Sequence, residues 1–239
     1  MIKRRTFLAA AASLAATGSV AALPSLLHGA AGDSIPASLD HIILGVSDLD
    51  RGIAWVEQRS GVRAVMGGVH PGRGTRNALL SLGTRRYLEI MAPDPAQPGS
   101  GDTRGLSHLG SPRIIGWASH LDSAANVANR LRKAGVAFSG PTPGSRKRPD
   151  GRVLDWTTVE LEDDAAGILP FFIEWGPNSP HPSEDSPAGL RLVSFSAESQ
   201  DVTPSSTVSA ALGLGLRVRR RPHAALRATF QGRKGEFSL

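Results

Sequence analysis

Residues 39–61 read LDHIILGVSDLDRGIAWVEQRSG, in which an Ile-rich run precedes a polar turn and a segment with apolar side chains at helical spacing. The Ile-rich run is typical of a strand. Asp48 stands where a helix would begin, Ile53 and Val56 lie at helical spacing within it, and Gly61 would end it. The stretch therefore predicts a strand followed by a helix.

The segments after Gly61 complete a unit and then repeat it. Three further strands are predicted, with Gly-rich turns between them, at 62–69, 76–83 and 85–92. A Pro/Gly/Ser-rich linker, 93–112, leads to a second unit in the same order. Its predicted elements are a strand at 114–121, a helix at 123–135, a strand at 136–140, a loop at 141–152 and strands at 153–162 and 168–176. The chain thus predicts an α+β fold of two tandem βαβββ modules, 39–92 and 113–176.

The last strands of the two modules share a motif. Tyr87-Leu88-Glu89 and Phe172-Ile173-Glu174 are both aromatic, aliphatic and acidic. Because alternate residues of a strand share a face, each glutamate is expected on an otherwise apolar face. A lone carboxylate there is costly to bury unless it is paired or bound to a cation. The repeated glutamate therefore indicates a site.

A third, shorter βαβββ-like unit is predicted over 189–239. Strand-like LRLVSFSA opens it at 190–197, a Ser/Thr-rich helix follows at 204–212, and three short strands end the chain. A lone unit leaves a sheet face or edge to be covered. We expect it to pack onto the main domain, 38–185, or to form a homodimer through 190–239.

The charge is concentrated at the two ends of the chain. The 239 residues carry a net charge of +6 and contain no cysteine. Residues 1–31 account for +3 and residues 216–239 for +6, which leaves −3 for 32–215. The high isoelectric point therefore does not predict nucleic-acid binding, and the basic end is typical of a charged edge strand. The lack of cysteine excludes disulfides and thiolate metal sites.

Residues 1–31 have the features of an export signal. Lys3, Arg4 and Arg5 precede an Ala-rich apolar run without acidic residues. The paired arginines resemble a twin-arginine (Tat) signal, which implies passage through the Tat translocase and a periplasmic protein. Cleavage could follow Ala22 or Ala31. The alternative is an uncleaved segment that anchors the protein in the membrane.

Over residues 38–185 the chain resembles the vicinal oxygen chelate (VOC) superfamily, in its glyoxalase-like branch. The segments that carry the likeness are Leu39-Asp40-His41, the turn region 68–77, Tyr87-Leu88-Glu89, Gly116-Trp117-Ala118, the loop 145–151, Trp156 and Phe172-Ile173-Glu174-Trp175, with His181-Pro182-Ser183 after it. The resemblance implies a glyoxalase/dihydroxybiphenyl dioxygenase-like fold, in which two half-barrels enclose a cavity. Fold alone does not decide the chemistry.

The resemblance also implies a metal site. Its first-strand and last-strand ligand positions fall on His41, Glu89 and Glu174, and the fourth falls on or next to Trp117, which cannot bind a metal. One imidazole and two carboxylates suit Mn²⁺, Fe²⁺, Ni²⁺ or Zn²⁺. The alternative is that the carboxylates pair with Arg76 or Arg148 and hold no metal.

Other residues are candidates for contact with a substrate. His70 could move a proton together with Glu174, and Asn77 could donate a hydrogen bond, although a turn histidine and a loop-capping asparagine have the same pattern. Arg146 and Arg148 could hold an anionic substrate or lie in a solvated loop. Three tryptophans could line the pocket or pack in the core: Trp117, Trp156 and Trp175.

The sequence leaves two functions open. The first is a metal-assisted lyase, isomerase or dioxygenase that acts on a small oxygenated metabolite. The second is a metal-free protein that binds and sequesters a small molecule in the same cavity. Neither involves nucleic acid.

Overall fold

The computed structural model describes residues 35–97, 105–120 and 123–239. Residues 1–31 lie outside them, so the export signal stays a prediction. The described elements, in chain order, are β1 (Leu39–Gly45), α1 (Leu49–Ser60), β2 (Val65–His70), β3 (Thr75–Gly83), β4 (Arg86–Pro93), a single-turn 3₁₀ helix (Leu106–His108), β5 (Arg113–Ser119), α2 (Ala124–Lys133), β6 (Phe138–Lys147), β7 (Val153–Leu161), β8 (Phe171–Trp175), β9 (Arg191–Ser199), α3 (Thr203–Leu212), β10 (Val218–Arg220), β11 (Ala225–Gly232) and β12 (Gly235–Ser238).

The helix ends follow from local chemistry. The Asp48 side chain accepts a hydrogen bond from the Arg51 backbone N–H, and Gly61 ends α1 in the left-handed conformation (φ 74°). Ser123 caps α2 in the same way as Asp48 caps α1, by accepting from Asn126 N–H. The predicted α+β class and the two tandem βαβββ modules are confirmed.

One large sheet joins the two modules. Its strand order is β2-β3-β4-β1-β5-β8-β7-β6, with β1 antiparallel to β5 at the centre. The two edge strands, β2 and β6, approach each other, since a Cβ placed on Gly68 would lie 2.9 Å from the Lys147 carbonyl oxygen. The sheet therefore curls into an open barrel.

The two faces of this sheet have different neighbours. The face that carries Leu88 and Ile90, here called the outer face, packs against α1 and the second sheet. On the second module the outer face carries Val159 and Phe172, which pack against α2. The opposite, inner face carries Glu89 and is enclosed by the curl.

The loop predicted at 141–152 is largely a strand. β6 runs from Phe138 to Lys147 and pairs antiparallel with β7 over most of this length. The turn is confined to the residues after Lys147. The Pro and Gly residues that indicated a loop lie on an edge strand, where a missing N–H is tolerated.

The C-terminal unit packs onto the main domain. β10, β9, β11 and β12 form a second sheet in that order, so the βαβββ element order recurs with a different strand pairing. Trp117 packs edge-on against Phe195 of β9, at a centroid distance of 5.4 Å. Phe195 and Phe230 are fully buried in the same core as Leu88. Among the described residues, no helix has the length and apolar character needed to cross a membrane.

Candidate functional site

The polar residues of the inner face are organised around two buried carboxylates, Asp40 and Glu89. Asp40 is fully buried at the start of β1, and Glu89 lies in the middle of β4. His41 lies between them. Its Nδ1 lies 2.7 Å from Asp40 Oδ1, and its Nε2 lies 3.6 Å from Glu89 Oε2.

A β-bulge brings Asp40 and His41 together. Successive strand residues normally point to opposite faces, but the pairing of β1 with β5 shifts register between Leu39 and His41. The side chains of Asp40 and His41 can therefore bond to each other inside the curl. Sequence reasoning missed Asp40, because alternation assigns it to the face opposite His41.

Asp40 accepts hydrogen bonds from both modules and the segment after them. Besides His41, the Trp175 indole N–H donates to its Oδ2 over 3.1 Å, and His181 Nε2 donates over 3.2 Å. His120 Nδ1 lies 3.3 Å from the same oxygen without good hydrogen-bond geometry. Burial alone would raise the pKa of Asp40, but the histidines outweigh it and hold this pKa well below its usual range. Asp40 is therefore ionised in the folded protein.

Glu89 is held by a second set of contacts. Asn77 Nδ2 donates to Glu89 Oε1 over 2.5 Å, and His70 Nε2 lies 3.5 Å from the same oxygen. Burial would raise the pKa of Glu89, but His70, His41 and Asn77 together bring it below the ordinary value. A buried negative charge thus lies beside two imidazoles.

The donor and acceptor roles around Glu89 follow from Asn77. Its Oδ1 accepts from Arg146 Nη1 over 3.1 Å, so its amide N–H groups face Glu89 and His70 Nε2, the latter at 3.3 Å. His70 Nε2 is then an acceptor, and His70 Nδ1–H donates to Thr75 Oγ1 over 2.8 Å. Burial lowers the pKa of His70, which favours this neutral form.

His41 differs from His70 because one of its ring nitrogens is left unbonded. The ionised Asp40 can only accept, so His41 Nδ1 donates to it, whereas Nε2 forms no hydrogen bond and lies 3.6 Å from Glu89 Oε2. The ring stacks on Tyr87, with centroids 4.4 Å apart. Burial, with Glu89 and Asp40 nearby, raises the pKa of Tyr87 well above its usual value, so the phenol stays protonated.

Glycine 67 allows the network to form. A Cβ at Gly67 would collide with Asn77 Oδ1 and lie 2.7 Å from Arg146 Nη1. Any larger residue would therefore displace the Asn77–Arg146 pair. The Gly-rich turn signal in the sequence marks this close approach.

The structure corrects the placement of Glu174. Its side chain is exposed on the outer face of β8, where Oε2 accepts from the Ala124 backbone N–H over 2.7 Å. It stabilises the N-terminus of α2 and does not join His41 and Glu89. The inner-face residues of β8 are instead Phe171, Ile173 and Trp175. They are shifted by one position from the residues that the sequence matched to Tyr87 and Glu89.

Trp117 also lies elsewhere than predicted. Its ring is fully buried in the outer-face core, and its Nε1 donates to the Ile168 carbonyl over 2.9 Å. Gly116 and Ala118 are the β5 residues that face inward, paired with Ile43 and His41. Trp156 and Trp175 do lie on the inner face, edge to face at 5.7 Å.

The predicted metal ligands therefore come together only in part. His41 and Glu89 are neighbours, whereas the third position is Ile173 in place of a carboxylate. Within 35–97, 105–120 and 123–239, no group of three or more His, Asp or Glu side chains is placed to hold a metal ion. The described residues therefore do not bring together the donor set that the resemblance implied.

Arg148 is occupied by a structural ion pair. Its Nη1 lies 2.8 Å from Asp185 Oδ1, and Arg152 Nη2 lies 2.7 Å from Asp185 Oδ2. Arg148 thus pairs with Asp185 and not with Glu89 or Glu174, as the alternative had it. The pair ties the segment after β8, which carries His181, to the β6–β7 hairpin.

The Asp185 pair should make stability depend on acid pH. Burial would raise the Asp185 pKa, but Arg148 and Arg152 outweigh it, so this pKa is lowered in the folded protein. The pair therefore stabilises above the unfolded pKa of about 3.9, and this contribution is lost as pH falls through the lower folded pKa. We expect Asp185→Asn to lower the free energy of unfolding by about 1 kcal/mol at pH 7.

Urea unfolding at neutral and at acid pH measures this effect. The exposed Glu162→Gln is the charge-matched control. The loss caused by Asp185→Asn should shrink in acid, and an equal loss at both pH values would contradict the assignment.

A barrel of two βαβββ modules with a buried histidine and glutamate on its inner face defines a VOC-type protein. A family model described as Glyoxalase-like domain matches residues 39–213, more than half of the chain. The chain belongs to this family.

Several solved structures are similar to this chain. A hypothetical protein from Staphylococcus aureus is 17% identical, with 84% of each chain covered and a TM-score of 0.58. Methylmalonyl-CoA epimerase from Mycobacterium tuberculosis is 26% identical over 60% of this chain and 91% of that chain, with a TM-score of 0.44. A hypothetical protein from Bacillus halodurans is 15% identical over 59% and 95%, with a TM-score of 0.42.

Proposed function

We propose that this protein is an exported VOC-type enzyme that moves a proton on a small oxygenated molecule, with His41 as the base. The observation that carries the proposal is the Asp40–His41 pair, whose free Nε2 faces a buried anion at 3.6 Å. A carboxylate that fixes the tautomer of an imidazole leaves the opposite nitrogen ready to accept a proton.

The groups around His41 stabilise its protonated form. When Nε2 takes a proton from a C–H beside a carbonyl, the imidazolium lies between Asp40 and Glu89, both ionised before the step. The C–H electron pair forms a C=C bond while the carbonyl π pair moves to the oxygen, which gives an enolate. The proton then returns from Nε2 to the same carbon and the carbonyl is restored. In a buried site such fixed charges act strongly.

His70 and Asn77 act as positioning residues in this proposal. His70 is locked between Thr75 and Asn77, so its ring nitrogens are already bonded. Together they keep Glu89 ionised and oriented toward His41. The sequence favours His70 as the proton carrier; we assign this role to His41, because His41 Nε2 has no hydrogen bond.

Hydrogen–deuterium exchange tests the proposal without knowledge of the substrate. The purified protein is incubated in D₂O with pyruvate, methyl pyruvate, hydroxyacetone and lactate, and loss of C–H signal is followed by proton NMR. Catalysed exchange above the buffer rate supports the proposal. Parallel samples treated with a chelator, or supplied with Mn²⁺ or Zn²⁺, test the divalent metal that proteins of this superfamily often use.

A metal-free binding protein is the second candidate. The observation that favours it is that Glu89 already accepts a hydrogen bond from Asn77, which in turn accepts from Arg146, so this carboxylate has a partner without a metal. This function predicts saturable binding of a small molecule with no deuterium exchange under any of these conditions.

Export is proposed on the Lys3-Arg4-Arg5 segment and its Ala-rich continuation. We expect the full chain to reach the periplasm and its Arg4→Lys/Arg5→Lys variant to remain in the cytoplasm. Immunoblots of cell fractions measure this, with Lys3→Arg as the charge-preserving control. A variant exported as well as wild type contradicts the Tat route, and an intact N-terminus in the membrane fraction supports an anchor.

A further inference from the structure

Arg146 is a buried cation without an acidic partner. Its side chain lies on β6 and the residue is only 4% exposed. Among the described residues, no Asp or Glu side chain forms an ion pair with its guanidinium. Arg63, Arg148, Arg152 and Arg227 each form an ion pair with a carboxylate.

The guanidinium keeps most of its hydrogen-bonding capacity. Nη1 donates to Asn77 Oδ1, whereas Nε and Nη2 donate to no described group and are not sealed off by protein. Burial of a charge costs free energy unless the charge is paired. A buried guanidinium without an acidic partner therefore indicates that a bound anionic ligand supplies the missing partner.

The position of Arg146 links it to the proton-transfer groups. Arg146 pairs with Leu154 across the β6–β7 ladder and shares the inner face with Trp156. Through Asn77 it is two hydrogen bonds from Glu89, which lies beside His41. A ligand group on Arg146 would therefore place an adjacent carbon near His41.

We propose that Arg146 binds the carboxylate of the small molecule that this protein acts on, through Nε and Nη2. The inference rests on the proposed function and narrows its substrate to a monocarboxylate. A guanidinium edge matches two carboxylate oxygens. The single guanidinium charge of Arg146 can balance one negative charge on a ligand. The second charge of a dianionic phosphate would be repelled by the nearby Glu89, so phosphate should bind less well than a carboxylate.

NMR on the full ¹⁵N-labelled chain tests the contact at the atom concerned. The Arg146 Nε–H signal, assigned by its loss in Arg146→Lys, should shift saturably with acetate and with pyruvate. Acetamide, which has nearly the same shape as acetate but no charge, should leave it in place. Phosphate serves as the dianionic comparison.

Ligand-observed saturation-transfer NMR compares the variants. The dissociation constant of pyruvate should rise at least about tenfold in Arg146→Lys and more in Arg146→Gln, because lysine keeps the charge but loses the planar pair of donors. The exposed Arg51→Lys is the matched control and should bind as wild type. Near-ultraviolet circular dichroism confirms that each variant is folded.

The outcomes separate this inference from the proposed function. Carboxylate binding at Arg146 without deuterium exchange supports the inference and counts against the enzyme. Exchange that is equally fast on methyl pyruvate and pyruvate, and unchanged in Arg146→Gln, overturns the inference and leaves the enzyme. Failure of acetate and pyruvate to shift the Arg146 signal at up to about 50 mM also overturns it.

Discussion

Replacing Asp40 by alanine is expected to lower the free energy of unfolding by about 3–5 kcal/mol. The carboxylate is fully buried and accepts from His41, Trp175 and His181. Alanine would leave the N–H groups of the buried His41 and His181 and of the half-buried Trp175 without this acceptor. It would also break the contacts by which β1, β8 and the segment after β8 are joined.

Urea denaturation followed by tryptophan fluorescence measures this loss. Asp40→Asn keeps one carbonyl acceptor, so its loss should fall between wild type and Asp40→Ala. Asp155→Asn, an exposed change on β7, is the control and should alter stability by less than about 0.5 kcal/mol. A loss below about 1 kcal/mol in Asp40→Ala would mean that the three donors find other acceptors.

Replacing His41 by glutamine is expected to slow deuterium exchange at least about a hundredfold. Glutamine can donate to Asp40 but has no basic nitrogen to face Glu89. Since it also loses the stacking on Tyr87, a modest loss of stability is expected alongside. Exchange rates at saturating pyruvate, measured on folded protein, isolate the chemical effect.

His223→Gln is the matched control for this change. His223 is exposed in the segment before β11. The His223→Gln variant should therefore catalyse deuterium exchange of pyruvate at the wild-type rate. Exchange by His41→Gln at the wild-type rate would remove His41 from the role of base. The remaining candidate would then be Glu89, which Glu89→Gln tests in the same assay.

The fold could be predicted from the sequence because each element has local signals. Asp48 and Ser123 cap helices by side-chain chemistry, and Gly61 supplies the left-handed residue that ends α1. Alternating and Ile-rich runs indicated the strands. The long strand β6 was missed because its Pro and Gly residues are tolerated at an edge that only the assembled sheet defines.

The site was predictable where it depends on strand alternation within one module. His41 and Glu89 lie on the inner face as alternation requires, and β1 pairs directly with β4. Glu174 was misplaced because the two modules match with an offset of one residue, which sends a side chain to the opposite face. The sequence alone cannot show that offset, because it aligns Tyr87-Leu88-Glu89 with Phe172-Ile173-Glu174.

Asp40 and Arg146 required the three-dimensional structure. Asp40 joins the site through a bulge, and its partners Trp175 and His181 are more than a hundred residues away. Arg146 meets Asn77 only because the sheet curls until β6 approaches β2. Contacts of this kind depend on closure and have no local signature in the sequence.

The one-residue offset between the modules has a stereochemical consequence. Two matched halves would present equivalent groups related by a pseudo-twofold axis, and a ligand could enter in either orientation. Here the basic imidazole comes from the first module and the free guanidinium from the second. A carboxylate ligand would thus bind in a single orientation. One prochiral face of its reacting carbon would point toward His41 Nε2. Exchange at a methylene carbon should therefore label one enantiotopic hydrogen selectively.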